Sequence, residues 1–318
     1  MIAAPASAGW STPEPVESNI NGIWFAPGGT GIIGGFPGSN PSRERFALRP
    51  FAGPLGFPEE FPSGIGQHGQ LSISFDASGD AVIIDPEIQT VFWRSANGMT
   101  SAPQKFAGHL LARWPRLVAT APGGAALIGV NEERPGGSPV QLAFRPAGIN
   151  STVDTENTVD LATKGTLVGL LLQADGGAIA VYTDEVADKL MQAVRPAGQP
   201  GFDTPTEITA PPGVSLVGGI GFASSPSGWA MLTAKGSEGS TEVIVGDVRA
   251  PGGSFGAPSV IATGVGMSNV TPAVTEAGDG LAAWAENHLG NPLCPAFGIL
   301  GAAEHLGSWS APMAIGPD

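Results

Sequence analysis

Short apolar runs of about five residues, separated by turns rich in Gly, Pro and Ser, recur along the whole chain. Almost none has the 3.6-residue period of a helix. Phe75-Asp76-Ala77-Ser78-Gly79-Asp80 leads into the run Ala81-Val82-Ile83-Ile84. Comparable stretches are Phe25-Ala26-Pro27-Gly28-Gly29, Thr120-Ala121-Pro122-Gly123-Gly124, Gln173-Ala174-Asp175-Gly176-Gly177, Ser224-Ser225-Pro226-Ser227-Gly228 and Thr275-Glu276-Ala277-Gly278. Each has an apolar strand before it, a small polar or Pro turn ending in Gly, and an apolar strand after it. The marker glycines stand at 29, 79, 124, 177, 228 and 278, spaced by 50, 45, 53, 51 and 50 residues.

Two further markers keep step. Arg49, Arg94, Arg145, Arg195 and Arg249 each end an apolar run and precede a turn, such as Arg-Pro-Ala-Gly. An aromatic-x-x-Pro pattern closes the unit, as in Phe202-Asp203-Thr204-Pro205, Phe255-Gly256-Ala257-Pro258 and Trp309-Ser310-Ala311-Pro312. Each unit therefore reads as four short strands, with the Arg ending the third and the aromatic-x-x-Pro carried by the fourth, where Pro suits an edge. The one stretch with helical character, Asp184 to Ala193, would interrupt the repeat. Four-stranded sheets repeated at this period predict an all-β, six-bladed β-propeller of four-stranded antiparallel blades. The expected units are about 17–62, 63–107, 108–159, 160–209, 210–262 and 263–318, in a single domain from residue 9 onward. Trp10-Ser11-Thr12-Pro13 repeats the closing pattern, so seven blades with one incomplete remain an alternative, as does a β-sandwich.

Gly and Pro supply 48 and 30 of the 318 residues, a level that raises the question of disorder. The 42% hydrophobic content, with seven Trp and fourteen Phe, answers it in favour of a folded, turn-rich β protein. The net charge is −14 and no Lys/Arg cluster occurs, which argues against nucleic acid and anionic membrane as partners. No run of 18 apolar residues exists to insert in a bilayer. Cys294 is the single cysteine and excludes an internal disulfide. Residues 1–8 read as a flexible N-terminus or the remnant of an export signal, with Ala6-Ser7-Ala8 as its small-residue end. The expected location is extracellular or cell-surface.

The recurring Arg-Pro-Ala-Gly and aromatic-x-x-Pro ends resemble the tandem blades of bacterial, especially actinobacterial, exported β-propeller proteins. The resemblance spans nearly the whole chain and implies architecture more than activity. Sialidase-like propellers are the nearest enzymes it suggests. Their Asp-box pattern, Ser-x-Asp-x-Gly-x-x-x-Trp, is echoed in part at Ser74-Phe75-Asp76-Ala77-Ser78-Gly79 but lacks the Trp.

The loops between second and third strands are acidic in every unit. They hold Glu44, Asp85 with Glu87, Glu132 with Glu133, Asp184 with Glu185, Glu238 with Glu242, and Glu286. Topology would gather them on one face as a ligand-binding rim of Glu44, Asp85, Glu87, Glu132, Asp184, Glu185, Glu242 and Glu286. No cofactor is expected, with Ca²⁺ at that rim as the one exception weighed, since it takes several carboxylate oxygens. Against it stands the ordinary acidity of exposed loops in an acidic chain. The repeated Arg is spread around a ring and so is expected to brace its own turn or a neighbouring blade. Tyr182, the single tyrosine, followed by Asp184 and Glu185, raises a sialidase-like nucleophile, but it lies in an apolar run typical of core. His288 and Cys294 share a loop without any accompanying catalytic signature. Trp24, Trp93, Trp114, Trp229 and Trp284 are candidates for sugar stacking if exposed. The function expected is a non-enzymatic exported or surface propeller binding a glycan or protein partner through its loop face. A divergent glycoside hydrolase and a structural subunit of a larger surface or viral assembly are the alternatives. The sequence fixes no oligomeric state.

Overall fold

The apolar runs are strands, and among the described residues the glycine markers are where the chain reverses. The computed structural model describes residues 20–25, 31–35, 45–49, 59–60, 71–76, 78–85, 90–105, 112–132, 139–148, 150–264, 266–268, 270–288, 296–305 and 308–314. Strand is the dominant structure among the described residues, and no α-helix occurs among them. No described helix is long and apolar enough to cross a membrane. Trp10-Ser11-Thr12-Pro13 and residues 1–8 lie outside the described residues.

Six antiparallel sheets follow one another along the chain. The first holds β1 (Ile20–Phe25), β2 (Gly31–Gly35), β3 (Arg45–Arg49) and β4 (Glu59–Glu60). The second holds β5 (Ser72–Phe75), β6 (Ala81–Asp85), β7 (Thr90–Arg94) and β8 (Gln104–Lys105). The third holds β9 (Ala112–Ala121), β10 (Ala125–Glu132), β11 (Val140–Arg145) and β12 (Asp154–Ala162). The fourth holds β13 (Gly165–Leu172), β14 (Ala178–Asp184), β15 (Lys189–Arg195) and β16 (Thr206–Glu207). The fifth holds β17 (Val214–Ser224), β18 (Ala230–Glu238), β19 (Thr241–Arg249) and β20 (Ser259–Gly264). The sixth holds β21 (Thr271–Val274), β22 (Gly280–His288), β23 (Ala296–His305) and two short partners of β23, β24 (Ser308–Trp309) and β25 (Met313–Ala314). Each sheet is a simple meander, and in the first five the last residue of the third strand is the repeated Arg.

Side chains alternate between the two faces of a strand, and here each face meets a different sheet. Along β14, Ala178, Ala180 and Tyr182 pack with Leu127 and Leu142 of the third sheet, while Ile179 and Val181 pack with Leu232 and Phe255 of the fifth. Along β10, Ala126 and Ile128 pack with Val82, Ile84 and Trp93 of the second sheet, while Leu127 faces the fourth. Met231 of β18 turns instead to Val270, Ala282 and Trp284 of the sixth. A sheet covered on both faces needs apolar residues at consecutive positions, which is why β6 reads Ala-Val-Ile-Ile and is buried throughout. The first strands are the ones that meet from sheet to sheet: β5 lies against β9, β9 against β13, β13 against β17 and β17 against β21.

Two expectations are corrected. Asp184 to Ala193 is not a helix but the end of β14, a turn and β15. The Asp184 carboxylate does accept the N–H groups of Val186 (2.9 Å) and Ala187 (3.1 Å), as a helix cap would. Asp188 then takes a left-handed conformation (φ 55°), the chain reverses, and Leu190 and Ala193 are buried in the sheet stack. In the fourth and fifth sheets the aromatic-x-x-Pro pattern is also not carried by the fourth strand. It leads into it, with Pro205 and Pro258 standing directly before β16 and β20. Proline has no N–H for a ladder, while the aromatic folds inward. Phe255 is buried, its N–H donating to Gln192 Oε1 (2.8 Å) and its carbonyl accepting from Gln192 Nε2 (2.8 Å) across to the fourth sheet.

Candidate functional site

Four of the turns between first and second strands share one geometry. In the second, fourth, fifth and sixth sheets the residue after the first strand, Asp76, Gln173, Ser225 or Thr275, accepts an N–H from the glycine three positions on. These glycines, Gly79, Gly176, Gly228 and Gly278, all have positive φ. Neighbouring turns are tied together. Gly123 N–H donates to Asp76 Oδ2 (3.1 Å), and Ser227 N–H donates to Glu276 Oε2 (2.8 Å). Burial pushes the Asp76 carboxyl above the usual range, although the N–H groups of Asp80, Ser78 and Gly123 pull it back. These turns therefore lie together at one end of the sheet stack.

In the third, fourth and fifth sheets the repeated Arg closes the same end from within. Arg145 Nη1 donates to the carbonyls of Gly124 (2.6 Å) and Pro146 (3.3 Å), and Nη2 to Gly148 (2.8 Å). Arg195 Nε donates to Gly176 (2.9 Å), and Arg249 to Gly253 (2.7 Å) and Gly228 (3.3 Å). The guanidinium thus holds the first turn of its sheet against the turn it begins. All three are buried, and burial lowers their pKa values, that of Arg249 to about 10. Arg195 also lies over the Phe144 ring at 5.0 Å. These arginines face carbonyls and a ring, and they do not converge on a common ligand site.

The described residues among the acids singled out by the sequence belong to the opposite end, where second strands turn into third. Asp85 ends β6 and is buried. Glu132 is the last residue of β10, and Glu286 lies within β22 rather than in a loop. Asp184 caps its own turn, and Glu185 pairs with Lys164 at 3.1 Å. Glu242 also lies within a strand, because the turn before β19 is only Gly239-Ser240. It accepts Lys235 Nζ at 2.7 Å and the Met267 N–H at 2.8 Å, and the Lys235 hydrogen bond in particular lowers its pKa. Glu44, Glu87 and Glu133 lie outside the described residues, as do Cys294 and the loop around it. Among the described residues no three His, Cys, Asp or Glu side chains come together as a metal site would require.

A cavity of about 250 Å³ opens at the other end, among the first strands of sheets two to five. Three residues from each strand end or its turn line it, including Ser74, Thr120, Ser224 and Ser225. No titratable side chain is among the described lining residues. No signal in the sequence points to this site, because the residues lining it are the ordinary small and apolar residues of strand ends.

Tyr182 is buried in the core between the third and fourth sheets, and its hydroxyl donates to the Leu161 carbonyl (3.2 Å). Burial, with the Asp184 charge adding, pushes that hydroxyl up to about 12, the wrong direction for a nucleophile. The unfolded tyrosine titrates near pH 10, so the unfolded state loses its proton first and stability falls as pH rises from about 10 to 12. Absorbance titration of this single tyrosine is expected to show a native midpoint near 12 and an unfolded one near 10. A native midpoint near 10 would place the ring in water. Of the tryptophans, Trp93 and Trp284 are buried and Trp229 is half-buried against Gly278. The side chains of Trp24 and Trp114 lie outside the described residues.

No protein-family model matches the chain, and no curated protein matches it in sequence. Solved structures match in fold. A protein from Lactobacillus plantarum superposes with a TM-score of 0.54 at 10% identity, over 94% of this chain and 85% of its own. The polysaccharide lyase Uly1 gives 0.52 at 8% identity, over 99% and 85%. YCF48 bound to D1 peptide gives 0.50 at 14% identity, over 93% and 81%. The neighbours are β-propeller proteins, and the meander sheets stacked in chain order place this chain in the same fold. The narrower resemblance to actinobacterial exported propellers rests on sequence motifs alone.

Proposed function

We propose that the six sheets are the blades of one six-bladed propeller, and that the protein is an extracellular or cell-surface binding module. Its ligand is a neutral glycan, or a polar uncharged segment of a protein partner, taken at the cavity among the first strands. The lining of that cavity carries the proposal. Hydroxyl groups each donate and accept, which matches the hydroxyls of a sugar, and no charge is present to select an ionic ligand. Glycoside hydrolysis needs two carboxyl groups about 5–10 Å apart, and the described lining supplies none. A second reading places a Ca²⁺-assisted site on the acidic loop face at the far end of the sheets, where Asp184 and Glu185 reach solvent.

A glycan array with the intact chain, run with calcium and again with EDTA, tests both. Binding of neutral glycans in either condition, weakened at least tenfold by Thr120→Val and unchanged by Asp184→Asn with Glu185→Gln, supports the cavity. Calcium-dependent binding with the reverse pattern moves the site to the acidic face. Absence of glycan binding in both conditions sinks the glycan reading and leaves a protein partner.

A further inference from the structure

The outer strands differ in how they meet solvent. β4, β8, β16, β24 and β25 are each two residues long, and β12 carries Asp154, Glu156 and Asp160. Short length and charge are the usual means of keeping a sheet edge from pairing with another chain. β20, Ser259-Val260-Ile261-Ala262-Thr263-Gly264, is neither short nor charged, and a single bulge is its one such device. One side is bonded to β19, and among the described residues no strand pairs with the other. A bulge between the pairs of Ile244 and Val245 leaves Ile261 unpaired and buried between the fifth and sixth sheets. Ser259, Val260 and Thr263 remain exposed, Val260 with 41% of its surface in solvent.

A groove of about 350 Å³ runs along this edge. Four consecutive residues of β20, 260 to 263, line it on one side, and Trp284 and Pro312 line it opposite, with exposed Met313 next in the chain. No charged residue is among those lining it. The Trp284 indole nitrogen is buried and has no hydrogen-bond acceptor among the described residues.

We propose that this groove takes an extended, uncharged segment of another protein, which adds as a strand to the outer edge of β20. An open edge offers main-chain donors and acceptors in a row, and alternate side chains of an added strand fall to either face. One set would enter the groove over Trp284. A second copy of this chain fits less well, because pairing β20 with β20 would bring together two molecules of net charge −14. The site is separate from the cavity among the first strands and does not depend on it.

The test uses fluorescein-labelled, capped seven-residue peptides alternating threonine with valine, isoleucine or phenylalanine, titrated with the full chain by anisotropy. Saturable binding is expected, weakened at least tenfold by Val260→Lys and abolished when alternate peptide amides are N-methylated. Bound peptide should also slow amide exchange across residues 259–264. Val260 is exposed, so the variant should fold, which circular dichroism checks. Binding indifferent to both changes overturns the proposal, and so does failure of every peptide to bind. Self-association in sedimentation that Val260→Lys abolishes, without peptide binding, assigns the edge to a second copy and overturns it as well.

Discussion

Arg145→Met is expected to lower stability by about 3 kcal/mol, read as a shifted midpoint in urea denaturation followed by tryptophan fluorescence. The side chain is 1% exposed and donates to three carbonyls. Two effects oppose one another. Burying a guanidinium without a carboxylate partner is costly, and methionine removes that cost. Gly124, however, is buried, and leaving its carbonyl as an unsatisfied buried acceptor costs about 1–3 kcal/mol in addition to lost packing. The second effect wins because the acceptors are backbone and cannot be removed with the charge. Arg145→Lys should recover little, since one ammonium cannot span Gly124 and Gly148 with a planar fork. A loss below 1 kcal/mol for the methionine variant would show that the clamp is incidental.

Gly169→Ala should also be damaging, by about 2 kcal/mol, although alanine is the better residue for an ordinary strand. A Cβ at 169 would stand 2.1 Å from Cγ of Phe222, on the first strand of the next sheet. Phe222 has little room to yield, because it is packed edge-on against Phe255 at 6.2 Å. Overpacking typically costs about 1–3 kcal/mol, and the gain from replacing glycine is about 0.5–1 kcal/mol. The clash therefore dominates. Adding Phe222→Leu to Gly169→Ala should restore part of the loss, and the double-mutant cycle should be strongly non-additive. Additivity within 0.5 kcal/mol would mean that the two first strands separate freely.

The strands were legible because this fold repeats its punctuation. The five arginines that end third strands stand out in sequence, and in three of the described sheets the guanidinium grips a carbonyl of the glycine turn that first revealed the repeat. The Asp184 turn was misleading because its first step, a carboxylate over two amides, is common to helix caps and hairpins. Only Asp188 and the burial of Leu190 decide between them, and burial depends on neighbouring sheets. The acidic residues near the second-to-third turns read as available groups, yet Glu242 is held by a lysine and an amide and Asp85 is buried. The cavity among the first strands could not be read at all. It is made by four strand ends about 50 residues apart, none unusual in its own segment.

Sequestering the clamp arginines changes the protein's outward electrical character. Four of the fourteen basic residues, Arg94, Arg145, Arg195 and Arg249, are buried, so at most ten can reach water. Of the twenty-eight acids, Asp76 and Asp85 are the buried ones among the described residues. An approaching molecule therefore meets a more strongly anionic exterior than a composition-weighted average suggests. Cationic partners should be drawn in over about a Debye length, with capture rates that fall steeply as salt is added, while polyanions are repelled before contact. The repeat thus sets the solution behaviour of the molecule by withdrawing its positive charge into its own turns.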